Sequence, residues 1–215
     1  MPTGCCELTD RAFSEAEAQS ELRAFRRRGA TGQSRLIIEA IRSYGGRDMT
    51  LLDIGGGVGA LYHTLLGDVV RRAIHVDASS AYLKTAREEA GRRGHAENIQ
   101  FIHADFTDVA EALPRVDIVT LDRVVCCYPD YRSLLTSAAS KSGRALALSY
   151  PRETWYVLLA LAVTNFLQRL RGDPFRGFVH PVAEMDGLLQ EGGLRRTSMK
   201  RLFVWEVAFY ERTTA

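Results

Sequence analysis

The sequence has few cysteines, little net charge and no long apolar run, and each of these shortages excludes a class of protein. Its four cysteines form two adjacent pairs, Cys5–Cys6 and Cys126–Cys127, a spacing that fits neither a zinc knuckle nor the disulfide framework of a secreted domain. We therefore expect reduced thiols and no metal site. The 28 lysines and arginines nearly balance the 26 aspartates and glutamates, so the broad positive field of a nucleic-acid-binding protein is missing.

The chain also lacks targeting and membrane signals. The start, Met1 to Cys6, has neither the charged beginning nor the apolar stretch of a secretion signal, and no apolar run approaches the length of a bilayer-spanning helix. We expect a cytoplasmic protein without a transmembrane segment. A length of 215 residues suits one well-filled α/β core, so the predicted domain is single and covers 1–215.

A glycine-rich segment is the most informative part of what is present. The run Leu51 to Ile54 has the pattern of a short buried strand, and it leads directly into glycines at 55, 56, 57 and 59 and then into a helical segment. Glycines are needed where a turn uses backbone angles that a Cβ would forbid and where the main chain approaches a ligand closely. The pattern Gly55-x-Gly57-x-x-Ala60 also satisfies the dinucleotide fingerprint, so context must decide the ligand.

The context is a series of carboxylates at the ends of strand-like runs. Ala73–Asp77 ends in an acid about 20 residues after the glycines, the spacing expected of a residue that accepts two ribose hydroxyls. The run Ile99–Ala104 is followed by Asp105 and Phe106, and Val116–Asp122 ends in a fourth acid. Parallel strands would bring these ends to one edge of a sheet.

Together, Asp53 and the spaced glycines resemble motif I of the class I S-adenosylmethionine (SAM) dependent methyltransferases. The resemblance implies S-adenosyl-L-methionine as the cofactor, with the fourth strand end facing the methyl group and the third contacting the adenine ring. The cofactor-binding residues that it implies are Asp53, Gly55, Gly56, Gly57, Gly59, Asp77, Ala78, Ser79, Asp105, Phe106 and Asp122. Two alternatives stay open: an NAD(P)-dependent oxidoreductase and a SAM-binding regulatory module without catalysis.

The remaining periodicities predict the fold. Residues 10–28 and Leu36 to Tyr44 are helical patterns within an N-terminal cover, 1–46. A fifth strand is predicted over Arg144–Tyr150, and two last runs, 195–204 and 205–211, form a closing antiparallel pair. The fold class is α/β: a doubly wound, Rossmann-like, seven-stranded sheet, mostly parallel, with one antiparallel strand near the C-terminus.

Two sets of charged residues on the predicted helices are interpreted as solvent-exposed. Arg26, Arg27 and Arg28 are interpreted as a solvated helix face, with an anion site as the alternative. Glu88–Arg92 and Glu89–Arg93 are pairs at helical spacing on the outside of the helix after strand two. This helix is therefore interpreted as scaffold.

A long helix, Glu153 to Arg171, is predicted after strand five. Its first half, Trp155 to Val163, is apolar on every side, so the helix cannot stand alone in water. We interpret 153–180 as a cap insertion packed over the acceptor pocket. A dimer face or a membrane-surface contact is the alternative, and a homodimer stays open.

The loop from Asp122 to Tyr131 supplies the candidate catalytic residues. It departs from the Asn-Pro-Pro-Tyr type of motif that holds exocyclic nitrogens of DNA or glutamine, which argues against a nucleic-acid substrate. Tyr128 is predicted to stack near the sulfonium or to orient the acceptor. The alternative is that its ring only packs against its neighbours. His180 is the candidate general base, with a purely structural role as the alternative. Tyr150 is a candidate for hydrogen bonding to the substrate.

The order of the N-terminal helices, motif I, the Tyr128–Pro129 segment and the cap is similar to the magnesium-protoporphyrin O-methyltransferase branch and uncharacterised bacterial relatives. This implies a small-molecule acceptor methylated at oxygen. A carboxylate acceptor would need no base, and Arg123, Arg152 or Arg176 could hold it. As in some arsenite methyltransferases, the cysteine pairs could instead meet over the site and bind a metalloid.

Overall fold

The computed structural model describes residues 13–173 and 175–213, which include a seven-stranded sheet of order β3-β2-β1-β4-β5-β7-β6. Strands β1 to β5 pair in parallel, and β7 runs antiparallel to both of its neighbours. The strands are β1 Met49–Ile54, β2 Val70–Asp77, β3 Ile99–His103, β4 Val116–Leu121, β5 Ser142–Pro151, β6 Leu194–Arg201 and β7 Trp205–Arg212. The predicted fold class is confirmed, although β6 ends at Arg201 and residues 202–204 form the turn.

Helices flank the sheet on both faces. They are α1 Glu15–Arg28, α2 Gly32–Tyr44, α3 Ala60–Leu65, α4 Ser80–Arg93, α5 Phe106–Val109, α6 Tyr131–Lys141, α7 Trp155–Leu170 and α8 Val182–Glu191. Side-chain caps fix several starts: Ser14 and Glu17 form a capping box at α1, and Ser79 accepts from the backbone N–H of Tyr82 at α4. The first predicted helix therefore begins at Glu15, and residues 10–12 lie outside the described ones.

Two apolar layers hold the helices to the sheet. Successive residues of a strand point to opposite faces, so Leu51 and Leu52 on β1 enter different clusters, as do Ile118 and Val119 on β4. One cluster receives α6 and α8, and the other receives α2 and α3. All four of these strand residues are fully buried, which explains why the central strands read as continuous apolar runs.

The chain reverses its direction across the sheet between β1 and β4, which lie side by side in the order of strands. A crevice opens at the carboxyl ends of the strands at such a switch point, where ligands of doubly wound folds bind. The glycine turn follows β1, Asp77 ends β2, Asp105 follows β3 and Asp122 follows β4. The sheet thus gathers at one edge the acids that the sequence separates.

The predicted outer charge pairs are partly wrong. Glu89 is fully buried rather than outside, and its carboxylate bonds Arg26 at 2.6 Å and also Arg92 and Arg93. The hydrogen bonds from these arginines lower the pKa of Glu89 far below its usual range. Arg26 therefore does not belong to a purely solvated face, because it anchors α1 to α4.

Candidate functional site

The glycine turn is held by backbone contacts that only glycines allow. Gly57 has a φ of +57° and donates its N–H to Oδ2 of Asp77 at 2.9 Å. At Gly59, with a φ of +81°, a Cβ would lie 2.1 Å from the hydroxyl oxygen of Tyr62. The turn therefore has the left-handed backbone that the sequence pattern predicts, and it also packs closely against α3.

Asp77 connects the glycine turn to the next helix. Its Oδ2 accepts from Gly57, and its Oδ1 accepts from the backbone N–H of Ser79 at 2.8 Å. Each carboxylate oxygen can accept a second bond, so the side chain retains acceptor capacity toward the cavity that it lines. This geometry suits a residue that receives ribose hydroxyls.

Asp53 lies beneath the turn and does not line the cavity. Its Oδ1 accepts from the Thr120 hydroxyl at 2.7 Å, while Oδ2 is buried with no hydrogen-bond partner among the described residues. A Cβ at Gly56 would lie 2.7 Å from that Oδ2. Burial raises the pKa of Asp53 from 3.8 to about 6. Asp53 thus supports the turn from below, and Gly56 and Gly59 belong to the turn without lining the cavity.

Asp105 forms the third acidic position. Its Oδ1 accepts from the backbone N–H of Thr107 at 3.0 Å, which caps α5, and from the hydroxyl of Tyr128 at 2.7 Å. Its Oδ2 is buried and has no hydrogen-bond partner among the described residues. An unsatisfied buried acceptor is costly, and the amino group of an adenine ring is a donor that would satisfy it.

Asp122 is held by two serines that sequence reasoning missed. Ser34 of α2 donates to its Oδ2, and Ser149 of β5 donates to its Oδ1 at 2.6 Å. The following residue, Arg123, has a φ of +61°, unusual for a non-glycine residue, and its N–H donates to Ser149 at 2.8 Å. Strained backbone of this kind clusters at functional sites. Ser149 could have been recognised from the sequence as a site residue, because it lies near the carboxyl end of the predicted fifth strand.

One cavity of about 820 Å³ runs along this edge of the sheet. Its volume lies toward the upper end of the ~300–1,000 Å³ of ordinary ligand sites. The predicted cofactor residues that line it are Gly55, Gly57, Asp77, Ala78, Ser79, Asp105, Phe106 and Asp122. Three features fit the three parts of SAM. Gly57 suits the amino-acid part, the acceptor capacity of Asp77 suits the ribose, and the unpaired Oδ2 of Asp105 suits the adenine.

The N-terminal helix contributes lining residues that the sequence did not single out. Glu21 of α1 pairs with Arg123 at 2.5 Å and accepts from the Tyr82 hydroxyl at 3.1 Å. The ring of Phe13 lies edge-on to Tyr82, with 5.9 Å between centroids. Because these contacts join α1 to α4 and to the loop after β4, they close the cofactor end of the cavity.

The two predicted catalytic residues have different surroundings. Tyr128 lines the cavity, and its hydroxyl is held by Asp105 and, at 2.7 Å, by Thr107. His180 is not among the lining residues. Its Nε2 lies 3.0 Å from the carbonyl oxygens of Val125 and Tyr128, and its ring stacks on Tyr131 at 4.1 Å. Because a carbonyl only accepts, Nε2 of His180 carries the proton, and burial lowers the pKa of the ring.

Two adjacent thiols also face the cavity. The Sγ atoms of Cys126 and Cys127 lie 3.5 Å apart. The hydrogen bond between the two thiols lowers the pKa of Cys127 and raises that of Cys126. Cys5 and Cys6 lie outside the described residues, so the proposed meeting of the two pairs has no structural account. Among the described residues, no cluster of three or more His, Cys, Asp or Glu side chains could hold a metal ion.

Helix α7 turns one side toward the cavity and leaves the other exposed. Val157, Ala160, Leu161 and Thr164 line the cavity. Leu158 and Leu159 do not line it, and Leu159 is 57% exposed. The helix therefore forms one wall of the cavity with one side of its apolar first half, and the opposite side of that half is exposed. No helix within the described residues is both long and apolar enough to cross a membrane.

Of the other residues predicted to contact the acceptor, some line the cavity and some do not. Arg123 lines the large cavity, whereas Arg152 lines a separate one of about 440 Å³. Arg176 donates to the carbonyl oxygens of Asp173 and Phe175. Tyr150 is buried in the core rather than in the cavity, so it is not positioned to contact a substrate there.

The strand order, the glycine turn and the acids at the strand ends are those of a Rossmann-like methyltransferase fold. Residues 51–141 match the family model described as a methyltransferase domain. The matched segment and the fold support a class I SAM-dependent methyltransferase with S-adenosylmethionine as its cofactor. A search of curated proteins finds no match.

Solved structures share the fold at low sequence identity. The magnesium protoporphyrin IX methyltransferase of Synechocystis with bound SAH is 18% identical, with 97% of this chain and 100% of that chain covered and a TM-score of 0.71. An O-methyltransferase family protein from Burkholderia thailandensis is 15% identical, with 94% and 61% covered and a TM-score of 0.70. A family 2 O-methyltransferase from Planctomyces limnophilus, in complex with apigenin, is 16% identical, with 84% and 62% covered and a TM-score of 0.60.

Proposed function

We propose that this methyltransferase transfers the methyl group to an oxygen of a bulky, largely apolar small molecule. The observation that carries the proposal is the lining of the cavity, in which the acids Asp77, Asp105 and Asp122 are joined by the apolar side chains of Val157 and Leu161. Aligned apolar walls favour an acceptor with little polar surface. The similarity in fold to two proteins of O-methyltransferase families supports oxygen as the attacking atom.

When bound, SAM would supply a methyl group carried on a positively charged sulfur. A lone pair of the acceptor attacks the methyl carbon in line, and the sulfur leaves as a neutral thioether. The residues of the chain hold the cofactor through Gly57, Asp77 and Asp105 and exclude water through α1 and α7. Asp122, held by Ser34 and Ser149, would lie near the methyl group, as the resemblance to the family implies. Its negative charge favours the sulfonium by electrostatic attraction.

The acceptor oxygen enters already ionised, in our proposal. No histidine is among the described residues that line the cavity, and the Nε2–H of His180 is committed to backbone carbonyls. We assign His180 to positioning of the loop that carries Tyr128. A carboxylate or an acidic hydroxyl requires no general base, and Arg123 is the one cation among the described lining residues. Arg123 would therefore attract the acceptor's charge.

The test begins with identification of the acceptor. The protein is incubated with methyl-labelled SAM and metabolite extracts, and labelled products are identified by mass spectrometry. Base-labile label indicates a methyl ester, and base-stable label at oxygen indicates an ether. Label found only on nitrogen, sulfur or carbon would contradict methylation of oxygen, and the absence of transfer to any acceptor would favour a regulatory module without catalysis.

A pair of variants then tests the role of Arg123. Arg123→Gln removes the cation and the ion pair, whereas Glu21→Gln removes the ion pair but keeps the cation. We expect the acceptor KM to rise at least about tenfold in Arg123→Gln, because a charge-assisted bond contributes ~1.5–3 kcal/mol, and to change little in Glu21→Gln. An equal rise in both variants would mean that the pair only positions α1.

A further inference from the structure

The outer side of α7 is an apolar surface with no covering element among the described residues. Trp155, Phe166 and Leu170 are 76%, 60% and 69% exposed, and Leu159 and Val163 lie on the same side. Phe203, 77% exposed, continues the surface from the turn after β6, where its ring stacks on Tyr156. We call these six residues the outer apolar face. Contiguous exposed surfaces of this kind mark interaction sites.

Charge narrows the choice of partner for this face. No aspartate or glutamate occurs between Glu153 and Asp173, whereas Arg169 and Arg171 are both exposed at the carboxyl end of α7. The face therefore ends in cations and has no acid along its length. A tryptophan at one end and arginines at the other are typical of helices that lie in the interface of a membrane.

The length of α7 favours a helix that lies along a surface. The helix has 16 residues, which gives a length of ~24 Å. This is shorter than the ~30 Å hydrocarbon core that a spanning helix must cross. A second copy of the chain would present the same arginines and no acid along this face, so charge complementarity favours an anionic surface over a second copy.

We propose that the outer apolar face of α7 docks the protein on an anionic lipid surface, with the helix lying in the plane of the interface. The apolar side chains enter the boundary between headgroups and acyl chains, and Arg169 and Arg171 contact the anionic headgroups. Since the opposite side of the same helix walls the large cavity, docking places the cavity next to the lipid. The surface does not depend on the identity of the acceptor, so failure of lipid binding would leave the proposed function standing.

Vesicle sedimentation of the full chain tests the docking. The probes are vesicles of phosphatidylcholine alone and of three parts phosphatidylcholine to one part phosphatidylglycerol. We expect the protein to bind the anionic vesicles, less so at high salt, and Leu159→Ser/Phe166→Ser to bind them at least about tenfold more weakly. SAM-induced thermal stabilisation checks that the variant is folded. A wild-type protein that stays in the supernatant with both vesicles would overturn the proposal.

A charge variant and its matched control test the part played by the arginines. Arg169→Glu/Arg171→Glu should weaken binding to anionic vesicles by about tenfold or more, whereas Arg27→Glu/Arg28→Glu, the same change on exposed residues of α1, should change it by less than about threefold. Equal losses would indicate non-specific attraction and contradict the assignment. A lipid-free dimer that Leu159→Ser/Phe166→Ser converts to a monomer would assign the face to a second copy instead.

Discussion

Asp77 is the residue on which the cofactor assignment most depends. It fixes the glycine turn through Gly57 and the start of α4 through Ser79, and its free acceptor capacity faces the cavity. Replacement by alanine removes charge-assisted bonds of about 1.5–3 kcal/mol each. We therefore expect Asp77→Ala to bind SAM at least about tenfold more weakly in calorimetry. Asp68→Ala, on the surface, is the control, and unchanged affinity in Asp77→Ala would refute the assignment.

Asp53 predicts a pH dependence of stability. Its pKa in the folded protein is about 6, against 3.8 ordinarily, because burial disfavours the charged form. The folded state therefore holds the proton more tightly, and the free energy of unfolding should fall as pH rises from about 4 to about 6, by ~2–3 kcal/mol. Above this window the loss is complete.

Asp53→Asn should remove that slope, because the amide does not titrate. Urea unfolding of the SAM-free protein at a series of pH values measures it, with Asp68→Asn as the surface control. A slope that persists in Asp53→Asn would mean that another group carries the dependence.

Glu89 shows at the scale of the element how α1 is attached. Its buried carboxylate bonds arginines from α1 and α4, and removal of one member of such a cluster leaves like charges together. We expect Glu89→Ala to lower the free energy of unfolding by about 2–3 kcal/mol, discounted because the arginines reach solvent. The exposed neighbour Glu88→Ala is the matched control in urea unfolding. An equal effect in both would show that the cluster does not anchor α1.

The lowered pKa of Glu89 predicts the direction of a second pH dependence of stability. A depressed folded pKa stabilises the protein above the unfolded value of about 4.5, and this stabilisation is lost as pH falls. The Glu89 and Asp53 contributions therefore have opposite slopes, and acid unfolding of the two variants separates them.

Helix α7 offers two leucines on opposite sides for a test of its inner wall. Leu161 lines the cavity, whereas Leu159 is exposed. With the acceptor identified, Leu161→Ser should raise its KM several-fold and leave SAM affinity within about twofold, because the cofactor contacts the other half of the sheet. Leu159→Ser should leave the acceptor KM within about twofold in a soluble assay. Equal effects of the two substitutions on KM would contradict the orientation of the helix.

The whole molecule should report its cofactor through thermal stability. A ligand at 100 times its Kd stabilises the folded state by about 2.7 kcal/mol, which corresponds to a rise in Tm of roughly 5–10 °C for a chain of this size. We expect SAM and its demethylated product to produce such a rise and NADH to produce none. A rise with NADH alone would favour the oxidoreductase alternative.

Some long-range features of the site were beyond the sequence. Ser34 and Glu21 contact the loop after β4 from 88 and 102 residues away, and no local pattern encodes such pairings. The misread Glu89 has the same cause: at helical spacing from Arg93 it looks like an ordinary surface pair, and only the docking of α1 buries it. His180 likewise gave no signal that its ring would be committed to backbone carbonyls.

The sequence by itself determined the sheet, its cofactor edge and the acids at the strand ends. Buried strands, glycine turns and caps are local, and a parallel sheet brings all carboxyl strand ends to one edge. Only the tertiary structure decided which side of α7 meets the cavity, because a helix that is apolar all round has no polar face to orient it. It also decided that Asp53 supports the turn rather than lining the cavity, since the packing of Gly56 over its carboxylate separates the two.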